Sequence, residues 1–405
     1  MVINGNWNGW LVTVSVKPNC LTVSIEAHGD TQVYSYDYAG RLWTALVDRL
    51  SYRRGLDGKM VAKWQAEGGE RQRRWLLPEE ARQVEEQARQ RMRDLYLAIQ
   101  SQSARLDVQL PDLGVLGFER LIAFDTQASQ ADIARYFQVY KPVGILPPDQ
   151  YFAVVLQATE GCSFNTCTFC DFYRDRPFRI KTPDEFRTHA QAVRQFLGDG
   201  LSLRRTIFLG DANALTVPMS RLLPLIEVVH DTYDVESLGG IYAFLDGFSA
   251  QKKSHADYRL LAQRGLKRVY IGMESGNEAL LKFLKKPGKP VDAIEAVKAI
   301  KDGGVAVGVI ILLGAGGQAY IKAHVKDTIQ ALNAMRLELD DLIYFSELFV
   351  SNDMPYLQDA YQAQLQPLSP EERIAQGDEI EAGLKFSPKG GTPHISRYDI
   401  REFVY

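Results

Sequence analysis

The chain has little cysteine: four residues in 405, too few and too clustered for a secreted disulfide scaffold. It has no uninterrupted apolar run near the roughly 18 residues that mark a membrane span. Met1–Trp7 offers neither a basic start nor a long apolar core, so no secretory leader is expected. Positive charge is not in excess; the net charge is −3, which gives no broad footprint for nucleic acid. Low-complexity tracts and short-period repeats are missing too. Together these absences lead us to expect a reduced-thiol, cytoplasmic protein with neither membrane nor nucleic acid as partner.

What is present is ordinary globular material, 46% hydrophobic and 24% charged. At this length, two domains or one large domain with an appendage are expected. The unusual feature is local. Cys162, Cys167 and Cys170 fall within nine positions, spaced C-x4-C-x2-C. Three thiolates without a fourth suit a metal centre that keeps one position open. An iron–sulfur cubane usually takes four thiolates, so three leave one iron to bind a small molecule. Zinc is a second reading, but a structural zinc site wants four ligands in closed geometry. The nearest histidine, His189, falls on the following helix, and no second C-x-x-C exists. Plain thiols are the third reading. Cys20, at the start of a strand, reads as a small apolar residue.

Residues 1–105 read as an α+β module of unknown role. Period-two alternation runs through Trp10–Lys17 and Leu21–His28 on either side of Pro18-Asn19, a β-hairpin pattern. Gln32–Tyr38 reads as a strand, Leu42–Leu50 as a short helix, and Met60–Ala66 with Arg71–Leu77 as a second hairpin through Gly68-Gly69. A helix opens at Pro78-Glu79-Glu80, with an apolar stripe of Ala81, Val84, Ala88, Met92, Leu95 and Ile99. Residues 106–150 connect this module to the next, and Pro142, Pro147 and Pro148 argue against a long helix just before Tyr151.

From 151 to 350 strands and helices alternate. Phe152–Leu156 and Val305–Leu313 are continuous apolar runs, as expected of parallel strands buried on both faces. Six strands with helices between them predict an α/β fold, a partial (β/α)6 TIM-like barrel. The N-terminal module precedes it, and a short C-terminal extension, 351–405, follows as a candidate cover. Polar and glycine residues gather after the strands, at Glu160-Gly161, Gly210–Asn213, Asp246-Gly247, Glu274–Gly276 and Gly314–Gly317. Such loops share the rim where parallel α/β folds bind ligands. The loop after the cysteines carries Tyr173, Arg174, Arg176 and Arg179, which suit either a substrate carboxylate or a solvated surface.

Gly161-Cys162, Cys167-Thr168-Phe169-Cys170, Phe208–Leu215, Tyr270–Gly276 and Val307–Gly317 together resemble the radical S-adenosylmethionine (SAM) superfamily. Their closest likeness is to relatives of oxygen-independent coproporphyrinogen oxidase. The resemblance covers about residues 150–350. The common family spacing is C-x3-C-x2-C, and this loop has one residue more. The resemblance implies a [4Fe–4S] cluster on Cys162, Cys167 and Cys170, with SAM on the fourth iron. It implies SAM contacts at Phe169, Gly210, Asp211, Glu274, Ser275, Gly308 and Gly314. It also implies an electron donor such as flavodoxin or ferredoxin, and a 5′-deoxyadenosyl radical that takes hydrogen from an unidentified organic substrate. No further cysteine cluster and no Asp-x-His-x-x-Gly motif occurs. Coproporphyrinogen-type oxidation and methyl transfer both stay open by analogy, as does a zinc-stabilised, non-catalytic binding protein on the same scaffold.

Overall fold

Alternating apolar and polar residues build the first part of the chain into one long antiparallel sheet. The strands are β1 (Val2–Trp7), β2 (Trp10–Lys17), β3 (Cys20–Ala27), β4 (Asp30–Tyr36), β5 (Leu42–Val47), β6 (Leu50–Arg54), β7 (Met60–Gln65) and β8 (Arg71–Trp75). Helix α1 (Pro78–Gln100) follows, then β9 (Ala104–Leu106), α2 (Asp112–Ala123) and α3 (Thr126–Val139). The sheet order is β8-β7-β6-β5-β4-β3-β2-β1-β9. Val12, Val14 and Val16 of β2 and Leu21, Val23 and Ile25 of β3 are buried. They share one core with Ala88, Met92 and Leu95 of α1 and Phe118 and Leu121 of α2. The computed structural model describes residues 1–27, 29–66, 69, 71–248 and 253–405. His28 and Gly68, of the two expected hairpins, lie outside the described residues.

One expectation fails here. Residues 42–47 and 50–54 are strands, not the short helix expected over 42–50. Asp48 and Arg49 both have positive φ (50° and 63°), and Val47 pairs with Leu50. That is a two-residue hairpin turn of the type whose twist matches the flanking strands. Asp-Arg is not a usual sequence for it, so the turn was hidden.

The chain divides into two units. The first is Met1–Val143 with Gln191–Arg205 and Arg401–Tyr405, and the second is Gly144–Ala190 with Thr206–Ile400. Helices α2 and α3 therefore belong to the first unit.

The second unit begins with β10 (Ala153–Gln157), the short β11 (Thr159–Glu160) and β12 (Arg179–Ile180), and the first half of α4 (Pro183–Leu197), whose residues from Gln191 on belong to the first unit. Next come β13 (Thr206–Gly210), α5 (Met219–Thr232), β14 (Ile241–Leu245), α6 (His255–Gln263), β15 (Leu266–Glu274), α7 (Glu278–Phe283) and α8 (Pro290–Asp302). The series ends with β16 (Ala306–Leu313), α9 (Gly317–Ala334), β17 (Leu342–Glu347), α10 (Pro355–Gln362), α11 (Pro370–Ala382) and β18 (His394–Tyr398). The sheet β10-β13-β14-β15-β16-β17-β18 is parallel throughout. Its two edges, β10 and β18, do not pair, so the fold is a partial, TIM-like barrel. The C-terminal extension adds a seventh strand to the six expected. His394–Tyr398 is short and only half-buried, so it lacks the apolar run that marks the other strands.

Side chains of β15 and β17 converge on one acid. Tyr270, Tyr344 (2.8 Å) and Arg268 (3.2 Å) all donate to the Asp149 carboxylate. Strand β16 runs between the two tyrosines, and its Gly308 pairs with Tyr270. A Cβ at Gly308 would lie 2.5 Å from the Tyr270 ring. The missing side chain is what gives that ring its place.

Candidate active site

The cysteine-bearing loop is clamped at its base before any cysteine is reached. Strands β11 and β12 pair antiparallel, Thr159 with Ile180 and Glu160 with Arg179, and residues 161–178 form the loop between them. Glu160 accepts from Arg179 Nε (2.8 Å) and Nη2 (3.0 Å) and from Lys181 Nζ (2.8 Å). The bonded Arg179 guanidinium, assisted by Lys181, holds the Glu160 carboxyl down at about 2.

Asp211 secures the loop's first residue. Its carboxylate accepts from Gly161 N (2.9 Å), Gln157 Nε2 (2.8 Å) and Arg176 Nη1 (3.4 Å). Burial raises its pKa, against the opposing bonds from Gln157 and Gly161. The Gly210–Asp211 peptide is cis. On the other side, Thr168 N donates to Leu284 O (3.0 Å) and Thr166 Oγ1 to Lys285 O (3.2 Å). Arg174 bonds the carbonyls of Cys170 and Cys167, both at 2.9 Å. Between the first two cysteines, Asn165 takes a left-handed conformation (φ 50°) and donates to Tyr173 O at 3.0 Å. Asparagine tolerates that region better than most residues.

Cys162, Cys167 and Cys170 line one pocket, and Phe169 and Glu274 line it with them. The other five residues implied as SAM contacts are not among its lining residues. Asp211 and Gly210 sit behind the loop, as described, and Gly308 makes room for Tyr270. Ser275 is fully buried against His324 Nδ1 (2.6 Å). Gly314 donates its amide to Gln376 Oε1 (2.8 Å). Nor do Arg174, Arg176 and Arg179 line the pocket; each is bonded within the loop or its base.

Several lining residues were not among the SAM contacts that the resemblance implies. Lys286 Nζ is 3.3 Å from Glu274 Oε1. Burial disfavours the ammonium, but the Glu274 and Cys167 charges outweigh it and hold Lys286 up at about 12. Burial lifts Glu274, and Lys286 opposes that lift. Glu274 itself has φ +61°. A Cβ on Gly272 would meet its Oε1 at 2.4 Å and Lys286 Nζ at 3.6 Å, so glycine there admits the carboxylate. Asn213 Nδ2 donates to Ser163 Oγ (3.1 Å) and lies 3.9 Å from Cys162 Sγ. Phe164 and Phe248 meet edge to face at 4.2 Å. Ser346 of β17 and Tyr398 of β18 close another wall. Asn213 could have been found, since it shares the loop after β13. Lys286 sits in a lysine-rich run that reads as solvated surface.

The donor set fits a cluster better than a single ion. The three cysteine thiols that line the pocket are one short of the four ligands that a closed structural zinc site takes. Burial raises the Cys167 thiol and pushes Cys170 up to about 12, so thiolates here need a cationic centre to stabilise them. Beside them, Glu274 and Lys286 present a carboxylate and an ammonium to the same pocket. No described helix is long and apolar enough to cross a membrane.

Residues 156–329 match the sequence profile of the radical SAM superfamily. Among curated proteins none matches the chain. Among solved structures, the chain is similar to coproporphyrinogen III oxidase, HemN, from Escherichia coli, a radical SAM enzyme. The identity is 12% and the TM-score 0.43, over 64% of this chain and 56% of that one. An archaeal Elp3 from Methanocaldococcus infernus gives 13%, 0.39, 53% and 54% in the same measures. TsrM from Kitasatospora setae, a radical SAM methyltransferase with cobalamin and a [4Fe–4S] cluster bound, gives 16%, 0.41, 62% and 48%. The chain thus spans about half the length of these structures. At such scores the likeness fixes neither substrate nor reaction.

Proposed function

We propose, from residues 156–329 being a radical SAM domain, that this chain is an enzyme taking hydrogen from an organic substrate held in the pocket beside Cys162, Cys167 and Cys170. The supporting observation is that these thiols open onto the same cavity as the Glu274–Lys286 pair. The superfamily uses a [4Fe–4S] cluster and SAM, which when bound and reduced by one electron supply a 5′-deoxyadenosyl radical.

The chain's own residues bind, orient and shield. The three cysteines would hold the cluster. Glu274 would meet the amino group of SAM and Lys286 its carboxylate, so each buried charge would keep a partner. Phe164, Phe169 and Phe248 form apolar walls that keep water from a reactive centre. Ser346 and Tyr398, on the strands at the sheet's far edge, orient the substrate. Asp211 acts one step back, fixing Gly161 and so the start of the cysteine loop. The substrate is a small organic molecule, and methyl transfer and oxidation are both within reach of this site.

The test is anaerobic purification of the chain. The expected protein is brown, holds about four irons per chain, and releases 5′-deoxyadenosine from SAM when dithionite is added. Cys167→Ala should lose both iron and cleavage, and Cys20→Ala should keep both. A colourless protein with one zinc and no cleavage would sink the proposal. Deuterium transfer into deoxyadenosine from candidate substrates then identifies the hydrogen donor.

A further inference from the structure

We infer that His324 of α9 is a positioning residue for the site: acting through Ser275, it fixes the backbone turn that aims the Glu274 carboxylate into the pocket. The inference rests on the reading above of Glu274 and Lys286 as SAM contacts. Glu274 has φ +61°, a region that residues with a side chain rarely adopt. Ser275 N donates to Met273 O at 2.7 Å, closing a three-residue turn around Glu274. Such turns with a positive φ at the centre are rare and strained. Strained backbone persists where its surroundings over-determine it. The pairing of β15 with β16 also slips in register between Gly272 and Glu274.

One face of α9 supplies the fastening. Ser275 and His324 are both fully buried, and Ser275 Oγ stands 2.6 Å from His324 Nδ1. The same hydroxyl accepts from Asn277 N (3.0 Å), so its own proton is left for the imidazole. Burial holds the imidazole down at about 4, so the ring is neutral and Nδ1 can accept. One turn farther along α9, Thr328 Oγ1 accepts from Gly276 N (3.0 Å), and Asp327 accepts from Asn277 Nδ2 (2.7 Å). A Cβ on Gly276 would collide with Asp327 O, so glycine there lets the turn lie against the helix backbone.

Residues 275, 276 and 277 are thus each tied to α9, while the Glu274 side chain faces the other way, to Lys286 at 3.3 Å. Neither Ser275 nor His324 lines the pocket. Their influence on SAM passes through the direction they give to Glu274.

The experiment measures SAM binding to the cluster-loaded protein by isothermal titration, with denaturant midpoints taken on the same variants. His324→Leu keeps much of the bulk but cannot accept from Ser275, and should raise the SAM Kd by about tenfold or more. His324→Asn puts an amide oxygen near the place of Nδ1 and should restore most of that affinity. Ser275→Ala, a smaller change, should weaken SAM binding too, and add little when combined with His324→Leu. Val325→Ala, at a buried neighbour on the same helix, should lose stability and keep the SAM Kd. A purely structural histidine would behave like Val325: lower stability with Kd unchanged in His324→Leu and Ser275→Ala overturns the inference, as does an equal loss of affinity in His324→Asn and His324→Leu. A second readout needs no SAM. Lys286→Met should cost less stability in the His324→Leu background than in wild type, because Glu274 no longer meets the ammonium there; equal costs overturn the inference as well. Wild type that takes up the cluster but no SAM would instead defeat the SAM-contact reading, and the Lys286→Met comparison would still decide the positioning.

Discussion

Glu274 and Lys286 meet at 3.3 Å in the wall of the pocket that also contains Cys167. The contact joins the end of β15 to the segment that follows α7. Both groups are shielded from water, so each depends on the other for its charge. Removing one leaves a buried ion without compensation, which typically destabilises by about 3–5 kcal/mol. Lys286→Met should therefore lower stability by roughly 3 kcal/mol. The double variant Lys286→Met/Glu274→Gln should recover a large part of that loss. Denaturant titration of the four proteins in the cycle measures the coupling; additive losses would show that the pair does not act as a unit.

Two glycines act on different neighbours. Gly272→Ala places a methyl 2.4 Å from the Glu274 carboxylate, the mobile end of a side chain, so the group swings away from Lys286. The expected result is a drop in SAM affinity together with a stability loss of about 3 kcal/mol, because Lys286 is left without its partner. Gly308→Ala places a methyl 2.5 Å from the Tyr270 ring, which is packed and cannot swing. Stability should fall by about 1–3 kcal/mol, with SAM affinity of the folded protein kept. Isothermal titration and thermal melts read the two quantities on both variants.

The base of the cysteine loop should make itself felt in acid. Glu160 is held at about 2, chiefly by Arg179 and then by Lys181. A carboxyl depressed in the folded state contributes stability above its unfolded pKa, near 4.3, and loses it as pH falls through the folded value. Glu160→Gln should thus cost about 1 kcal/mol at neutral pH, a small amount because Arg179 is partly exposed. The difference from wild type should shrink between about pH 4 and pH 2. Denaturation midpoints across that range check it; a gap that does not narrow would mean that the clamp is not ionic.

The parallel sheet was legible because its strands are buried on both faces. Ala153–Gln157 and Val307–Leu313 carry hardly a polar side chain to mislead the eye. The clustering of the three cysteines and the strand-end place of Glu274 made them visible in the sequence as rim residues, and all four line one pocket. What stayed hidden depends on direction rather than position. Asp211 lies in the expected loop, yet its carboxylate turns back to Gly161 and Gln157, and no periodicity encodes that turn. Lys286 differs from Lys285 only by the side to which the chain rotates it. Strand β18 is recruited by pairing with β17, a long-range partnership that a short, mixed sequence does not announce.

Two of the loop's fastenings lie outside the run that bears the sulfurs, the β11–β12 ribbon and the Asp211–Gly161 bond, and two lie within it, the contacts of Thr166 and Thr168 on either side of Cys167. The stretch between the Gly161 and Thr166 anchors, Cys162 to Asn165, therefore has freedom of length. Asn165, in its left-handed turn, can take up slack without moving either anchor. Spacing at this point is a soft coordinate, and gain or loss of a residue there changes the contour of the bend while leaving the seat of the sulfurs in place.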